Sequence, residues 1–213
     1  MIEIDGLSKK FGQRFILQDI NLSFKQDESI IVMGQNGAGK TTLIRSVLGE
    51  QIPTFGSVRI AGIDPFKDRS AALRHTGFVP QMPPPIKLSA KELIRYAVVS
   101  SGAREARIIS ICEELELDIK EHFKKLFFKL SGGMKQKLLI AIAIAREPDI
   151  LIFDEPAANL DAKGRERFYD LLQPLQKKRL LIFISHRIDE IKSLLTRKIE
   201  MDLGKVVNDE KLV

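Results

Sequence analysis

The sequence predicts an α/β fold: a mainly parallel central sheet, an antiparallel β region near the N-terminus, and a helical segment inserted between two parts of the sheet. Three observations carry that prediction. Three short, nearly continuous apolar runs, "SIIVMG" (29–34), "DILIFD" (149–154) and "RLLIFISH" (179–186), are each followed by a helical pattern, as parallel strands covered on both faces should be. The first two dozen residues instead alternate apolar with polar. Between Gln81 and Ser131 the β signal disappears and the spacing turns helical.

Taken in order, Ile2 and Ile4 alternate with Glu3 and Asp5, and Ile20, Leu22 and Phe24 alternate with Asn21 and Ser23, which predicts half-buried antiparallel strands. Helices are expected at about 39–49, 161–173 and 187–195. After Pro83–Pro85, Ser89 and Glu92 form a capping-box pattern, and Leu93, Tyr96 and Ala97 share one helical face behind it. The tail ends in a hairpin around Gly204. One domain spanning 1–213 is expected, with a β and core part at about 1–85 and 131–213 and a helical part at about 86–130. Its 213 residues, 44% apolar and 29% charged, suffice for a full core.

Composition excludes several function classes. The longest apolar runs, such as Leu180–Ile184, fall far short of the roughly 20 residues that span a bilayer, so a membrane role has to come through a partner. The start, MIEIDGLSKKFG, has no basic, apolar and small-residue sequence of a secretory signal. The single cysteine, Cys112, excludes an internal disulfide and fits a reducing cytosol; Ile108, Ile111 and Leu115 share its helical face, which predicts a buried thiol. Net charge is +6, but the basic residues are scattered, with small clusters at Lys120–Lys129 and Lys177–Arg179 in which aromatics do not interleave in a nucleic-acid pattern, so solvated surface is the better reading than a nucleic-acid face.

The chemistry starts at "GQNGAGKT". Gly34, Gly39, Lys40 and Thr41 fit G-x-x-x-x-G-K-[ST], with a strand before and a helix after, which is the context of a P-loop rather than of a glycine-rich turn with an incidental lysine. Phosphate oxygens must reach backbone N–H groups with no Cβ in the way, and the helix start offers unpaired donors and partial positive charge. The cradle is therefore Gly34, Asn36, Gly37, Ala38, Gly39, Lys40, Thr41 and Thr42, with Lys40 on the outer phosphates and the Thr41 hydroxyl on Mg²⁺. A second site ends the apolar strand of "ILIFDEP": Asp154 is placed to hold Mg²⁺ and Glu155 to orient or deprotonate a water.

The signature-like stretch "KLSGGMKQK" (129–137) lies shortly before that acidic strand, and with it the chain resembles the ATP-binding cassette (ABC) ATPases over essentially its whole length. Ser131, Gly132 and Gly133 open a helix whose apolar positions Met134, Leu138, Leu139 and Ile142 recur at helical spacing, so its N-terminus is a second phosphate site. The resemblance implies a head-to-tail dimer in which Ser131–Gly133 of one subunit meets the γ-phosphate held by the other's P-loop. It also implies that Gln81 reaches Mg²⁺ and the attacking water, that His186 contacts the γ-phosphate, that Asp161 belongs to the D-loop "AANLD" and caps the next helix, and that Phe11 stacks on adenine. Phe15 competes for that last role, and a core aromatic is the alternative. Met134 departs from the usual glutamine and Asn159 from a usual small residue, while His75 and His122 match no motif and read as structural.

By that resemblance the chain is expected to be the ATP-hydrolysing subunit of an ABC transporter. It would use ATP and Mg²⁺, pair as a homodimer or with a second ABC ATPase, and sit on the cytoplasmic face of the cell membrane through a transmembrane permease. The competing readings are a soluble ABC ATPase working on nucleic acid or ribosomes, disfavoured by the short interval between Gln81 and Ser131 and the single P-loop, and an ATP-gated module without turnover, disfavoured by the intact Glu155 and His186. No regulatory domain follows the last strand, which under the resemblance suits an exporter or maturation system better than a sugar-type importer.

Overall fold

A computed structural model describes residues 1–186 and 188–212. Five parallel strands and one antiparallel strand form the central sheet in the order β5-β6-β7-β3-β8-β9, where β3 is Ser29–Met33, β5 Thr76–Val79, β6 Ile150–Asp154, β7 Leu180–Ile184, β8 Arg197–Asp202 and β9 Lys205–Lys211. The three apolar runs are β3, β6 and β7, with every residue of β6 and β7 buried. Their side chains alternate between two cores: Ile31, Leu151, Phe153, Leu181 and Phe183 face one side, and Ile30, Val32, Ile150, Ile152 and Ile182 the other. On the first side Phe153 stacks on Phe183 at 5.4 Å and meets Phe168 edge-on at 5.2 Å.

The alternating N-terminal segment forms β1 (Ile2–Phe11) and β2 (Arg14–Phe24), which join β4 (Phe55–Ile60) in a separate antiparallel sheet of order β2-β1-β4. Its apolar face lies in the same core as α1 (Lys40–Val47). The tail hairpin is β8–β9, which adds the antiparallel edge. β4 and β5 carry no clear sequence signal, because only Val58 and Ile60 of β4 are buried and β5 is a four-residue edge strand containing Gly77. A short helix, α2 (Arg69–Leu73), precedes β5.

The inserted part consists of α3 (Ala90–Ser101), α4 (Glu105–Glu114) and 3₁₀ turns, leading into α5 (Gly132–Ala145). The capping box forms: Glu92 N–H donates to Ser89 Oγ at 3.2 Å, and Ser89 N–H to Glu92 Oε2 at 2.8 Å. Tyr96 does not share the buried face, being 63% exposed; the inward stripe runs Ala90, Leu93, Ile94, Ala97 and leaves Tyr96 outside it. α5 also differs from the expected one-sided helix. Of Met134, Leu138, Leu139 and Ile142 only Leu138 is fully buried, while Gln136, Ile140, Ala141 and Ala143–Ala145 are buried around it, because α5 is packed on several sides at once. Cys112 is buried as expected, and burial pushes its thiol up to about 12. α6 (Ala162–Leu172) matches the helix expected at 161–173. The helix expected at 187–195 starts on a residue outside the described ones; α7 covers Ile188–Ile191 and a 3₁₀ turn continues over Lys192–Leu194.

Candidate functional site

The loop between β3 and α1 is shaped by glycine. Gly39, the N-cap of α1, has φ 102, and a Cβ there would lie 2.8 Å from the Ile16 carbonyl oxygen and 2.9 Å from Leu17 Cδ2, so only glycine fits. No side chain caps α1 and no acidic residue lies in its first turn, so its N-terminal amides face an open cleft. That cleft, about 280 Å³, is lined by residues 36–42 together with Arg14 and Ile16. Lys40 curls over the loop, its Nζ donating to Gly34 O at 2.6 Å and Gln35 O at 3.1 Å, which holds the ammonium across the cradle's mouth.

Asp154 ends β6 and is 6% exposed. Burial pushes its carboxyl above the usual range and the neighbouring Glu155 charge adds to that, while Lys40 and Arg45 pull the other way. Thr41, Gln81 and Asp154 line one cleft of about 460 Å³ with Arg45, Phe78 and Leu139. Three hard oxygen donors on one cleft, one of them a buried carboxylate beside another acid, are the donor set that suits Mg²⁺.

Glu155 adopts φ 45, a left-handed conformation costly for a residue with a Cβ, fixed by its N–H bond to Ile184 O at 2.8 Å. Its side chain, 15% exposed, accepts from Ser185 Oγ at 3.3 Å and lies 2.9 Å from His186 Nδ1. Carboxylate and imidazole, 31 positions apart, thus meet because β6 and β7 are parallel neighbours ending at the same level.

Ser131 caps α5, its Oγ accepting from Met134 N–H at 3.2 Å. A Cβ on Gly133 would lie 2.9 Å from the Asn159 carbonyl oxygen, so the signature glycine lets the D-loop backbone approach the helix tip. Asp161 caps α6, accepting from Gly164 N–H at 3.2 Å, and pairs at 3.6 Å with Lys137 Nζ, whose side chain is only 11% exposed. Neither cleft on the P-loop includes Ser131, Gly132 or Gly133. The chain therefore carries two anion-ready helix tips that do not share a cleft. Phe11 is 51% exposed and lies under Lys9 Nζ at 5.1 Å; Phe15 is exposed under Lys10 Nζ at 4.2 Å. The core alternative for these aromatics does not hold. Of the residues that sequence reasoning passed over, Arg14 is a lone cation on an alternating strand, Gln136 lies between two lysines where it reads as surface, and Ser185 ends an apolar run; no spacing rule singles any of them out.

A glycine-shaped loop that opens a helix with uncapped amides, beside a strand end carrying two acids, is the arrangement of the P-loop nucleotide hydrolases. The sequence model of the ABC transporter family matches residues 17–158, and the chain belongs to that family. It is 35% identical, over 98% of its length and 69% of the relative's, to the bacitracin transport ATP-binding protein BcrA of Bacillus licheniformis. It is 30% identical to the aliphatic sulfonates import ATP-binding protein SsuB 1 of Nocardia farcinica, over 98% of this chain and 80% of that one. Among solved structures, the ATP-binding cassette MJ0796, in a dimeric post-hydrolysis state bound to ADP and Pi, superposes with a TM-score of 0.88 at 27% identity, covering 100% of this chain and 99% of that one. The chain is accordingly an ATP-binding, ATP-hydrolysing subunit of the ABC transporter class, and the reading as a nucleic-acid or ribosome ATPase is set aside. Among the described residues no helix is long and apolar enough to cross a membrane.

Proposed function

We propose that two copies of this chain, or one copy and a second ABC ATPase, close head to tail around ATP and that the cycle of closure and hydrolysis drives a separate transmembrane permease from the cytoplasmic face. The observation that carries this reading is that the glycine-capped tip of α1 opens on the P-loop cleft, whereas the serine-capped tip of α5 lines neither that cleft nor the one shared by Thr41, Gln81 and Asp154. A triphosphate that needs both must take the second from a partner. That MJ0796 is dimeric in its ADP- and Pi-bound state supports pairing of two cassettes.

In this reading the amides of Gly34–Thr42 and the Lys40 ammonium bind the β- and γ-phosphates, and Lys40 exchanges its two carbonyl partners for phosphate oxygens. Thr41, Asp154 and Gln81 hold Mg²⁺, which when bound neutralises charge developing on the phosphates. Glu155, fixed by its left-handed backbone and by Ser185, takes the proton of the attacking water. His186, already against Glu155, swings or leans to the γ-phosphate. Ser131, Gly132 and Gly133 complete the γ-phosphate shell of the partner's site, Asp161 holds the D-loop and signature helix together through Lys137, and Phe11 or Phe15 stacks on adenine. The helical part, about 86–130, carries exposed Tyr96 and Val99 and is the side offered to the permease.

Measured with Mg²⁺, wild-type protein is expected to release phosphate from ATP. Glu155→Gln should lose most turnover, about 10²–10⁴-fold, while keeping nucleotide affinity, as general-base loss does; Lys40→Ala should lose affinity. Normal turnover in Glu155→Gln would remove Glu155 from its role.

A further inference from the structure

α5 runs along β5 in a defined register. Near its C-terminal end the Arg146 Nη1 donates to Thr76 O at 3.3 Å, and the Ala143 carbonyl lies 3.2 Å from where a Gly77 Cβ would stand. At the other end of the contact, Gln136 is 0% exposed and its Nε2 donates to Pro80 O at 3.4 Å. Its Oε1 is buried with no hydrogen-bond partner. A buried, half-satisfied amide costs stability that a methionine of similar volume would not.

What the amide holds is the exit of β5. Pro80 precedes Gln81, and among the described residues neither Gln81 nor Met82 makes a hydrogen bond of its own. The exit runs into Pro83–Pro85, which have no N–H to offer, so the backbone there lacks the usual means of fixing itself. Gln136 is therefore the side chain that anchors this exit, and it does so five residues from Ser131 on the same helix. Leu139, one turn further on, lines the cleft that Gln81 and Asp154 share.

We propose that Gln136 is a positioning residue for Gln81: a buried clasp that ties the Gln81-bearing strand exit to the helix whose N-terminus is Ser131–Gly133, so that signature tip and Gln81 move as one unit. This deepens the reading above and rests on its assignment of Gln81. The helix carries the tip that serves the partner's ATP, while the clasp acts on the chain's own ATP cleft. A displacement of α5 on dimer closure thus reaches the Gln81 backbone through one hydrogen bond.

The test uses Gln136→Met in the full chain, alone and combined with Gln81→Ala. Loss of one neutral hydrogen bond corresponds to a change of about fivefold. In Gln136→Met, kcat should fall about fivefold with ATP affinity of the nucleotide-free protein unchanged and with no loss of thermal stability. In the Gln81→Ala background the same substitution should leave the remaining kcat unaltered, because its only route runs through Gln81. Trypsin cleavage after the exposed Lys87 should speed up about fivefold in nucleotide-free Gln136→Met, since cleavage follows the opening equilibrium. An equal loss of kcat with and without Gln81, or a lowered melting temperature with unchanged cleavage at Lys87, overturns the clasp. Should wild-type protein show no turnover, the proposed function falls and the Lys87 cleavage rate alone decides: acceleration in Gln136→Met upholds the clasp and an unchanged rate overturns it.

Discussion

Gly133→Ala separates what the signature glycines do for the fold from what they do for ATP. The new Cβ would stand 2.9 Å from the Asn159 carbonyl oxygen, where ordinary contact begins near 3.4 Å, so about half an ångström of movement between the α5 tip and the D-loop is forced. Helix propensity favours the alanine by roughly 0.8–1 kcal/mol, and forcing extra volume into a packed contact costs about 1–3 kcal/mol. The net is a loss of about 0–2 kcal/mol, or a few degrees of melting temperature at about 2–4 °C per kcal/mol for a chain of this size. Turnover should suffer more, because an ångström of misplacement costs about 100-fold, so half of that should cost about tenfold. Gly132→Ala is the control: its Cβ would meet nothing nearer than Asn159 Oδ1 at 3.7 Å, so stability should hold or rise. Phosphate release and differential scanning calorimetry on both variants check this. A Gly133→Ala protein more stable than wild type and with turnover within twofold would refute the argument that the close approach constrains the tip.

Asp154→Asn should raise the melting temperature at pH 7 while abolishing Mg²⁺-dependent turnover, the trade expected of a buried carboxylate kept for function. Because burial and the Glu155 charge raise the Asp154 pKa above its unfolded value, the folded state gains stability by holding that proton; the gain is present below the unfolded value and lost as pH rises through the folded one. The advantage of the asparagine variant should therefore be largest at neutral pH and shrink toward about pH 4, and a variant less stable than wild type at pH 7 would contradict it. Cys112, with its thiol pushed up to about 12 and fully buried, should resist a maleimide at pH 8 in folded protein and react only after denaturation; mass spectrometry reads the outcome.

The parts of the fold legible in the sequence are those where one physical demand dominates. β3, β6 and β7 are apolar apart from Ser29 at the start of β3 and Asp154 at the end of β6, because both faces are covered. β5 reads as nothing: Thr76–Val79 is four residues with a glycine, and it is a strand because β6 offers its edge and α5 approaches closely over Gly77. Tyr96 sits at the right spacing from Leu93 yet faces solvent, since Ile94 shifts the buried stripe by one position. In the site, the P-loop announces itself because phosphate binding requires bare backbone at fixed spacing. Glu155 and His186 are readable only as an ordered set, and their 2.9 Å contact depends on the pairing of β6 with β7. Gln136 and Ser185 have no signal of their own: Gln136 stands between two lysines and reads as surface although it is buried, Ser185 merely ends an apolar run, and each acquires meaning only when its partner, Pro80 or Glu155, is in place.

The central claim is that ATP joins two chains between the α1 cradle of one and the α5 tip of the other. Light scattering on Glu155→Gln protein with saturating ATP tests it most directly. The account predicts a mass twice the 24.0 kDa of one chain, reverting to one chain when Ser131→Arg is added. A mass of 24.0 kDa with ATP demonstrably bound, or a dimer indifferent to Ser131→Arg, would contradict it.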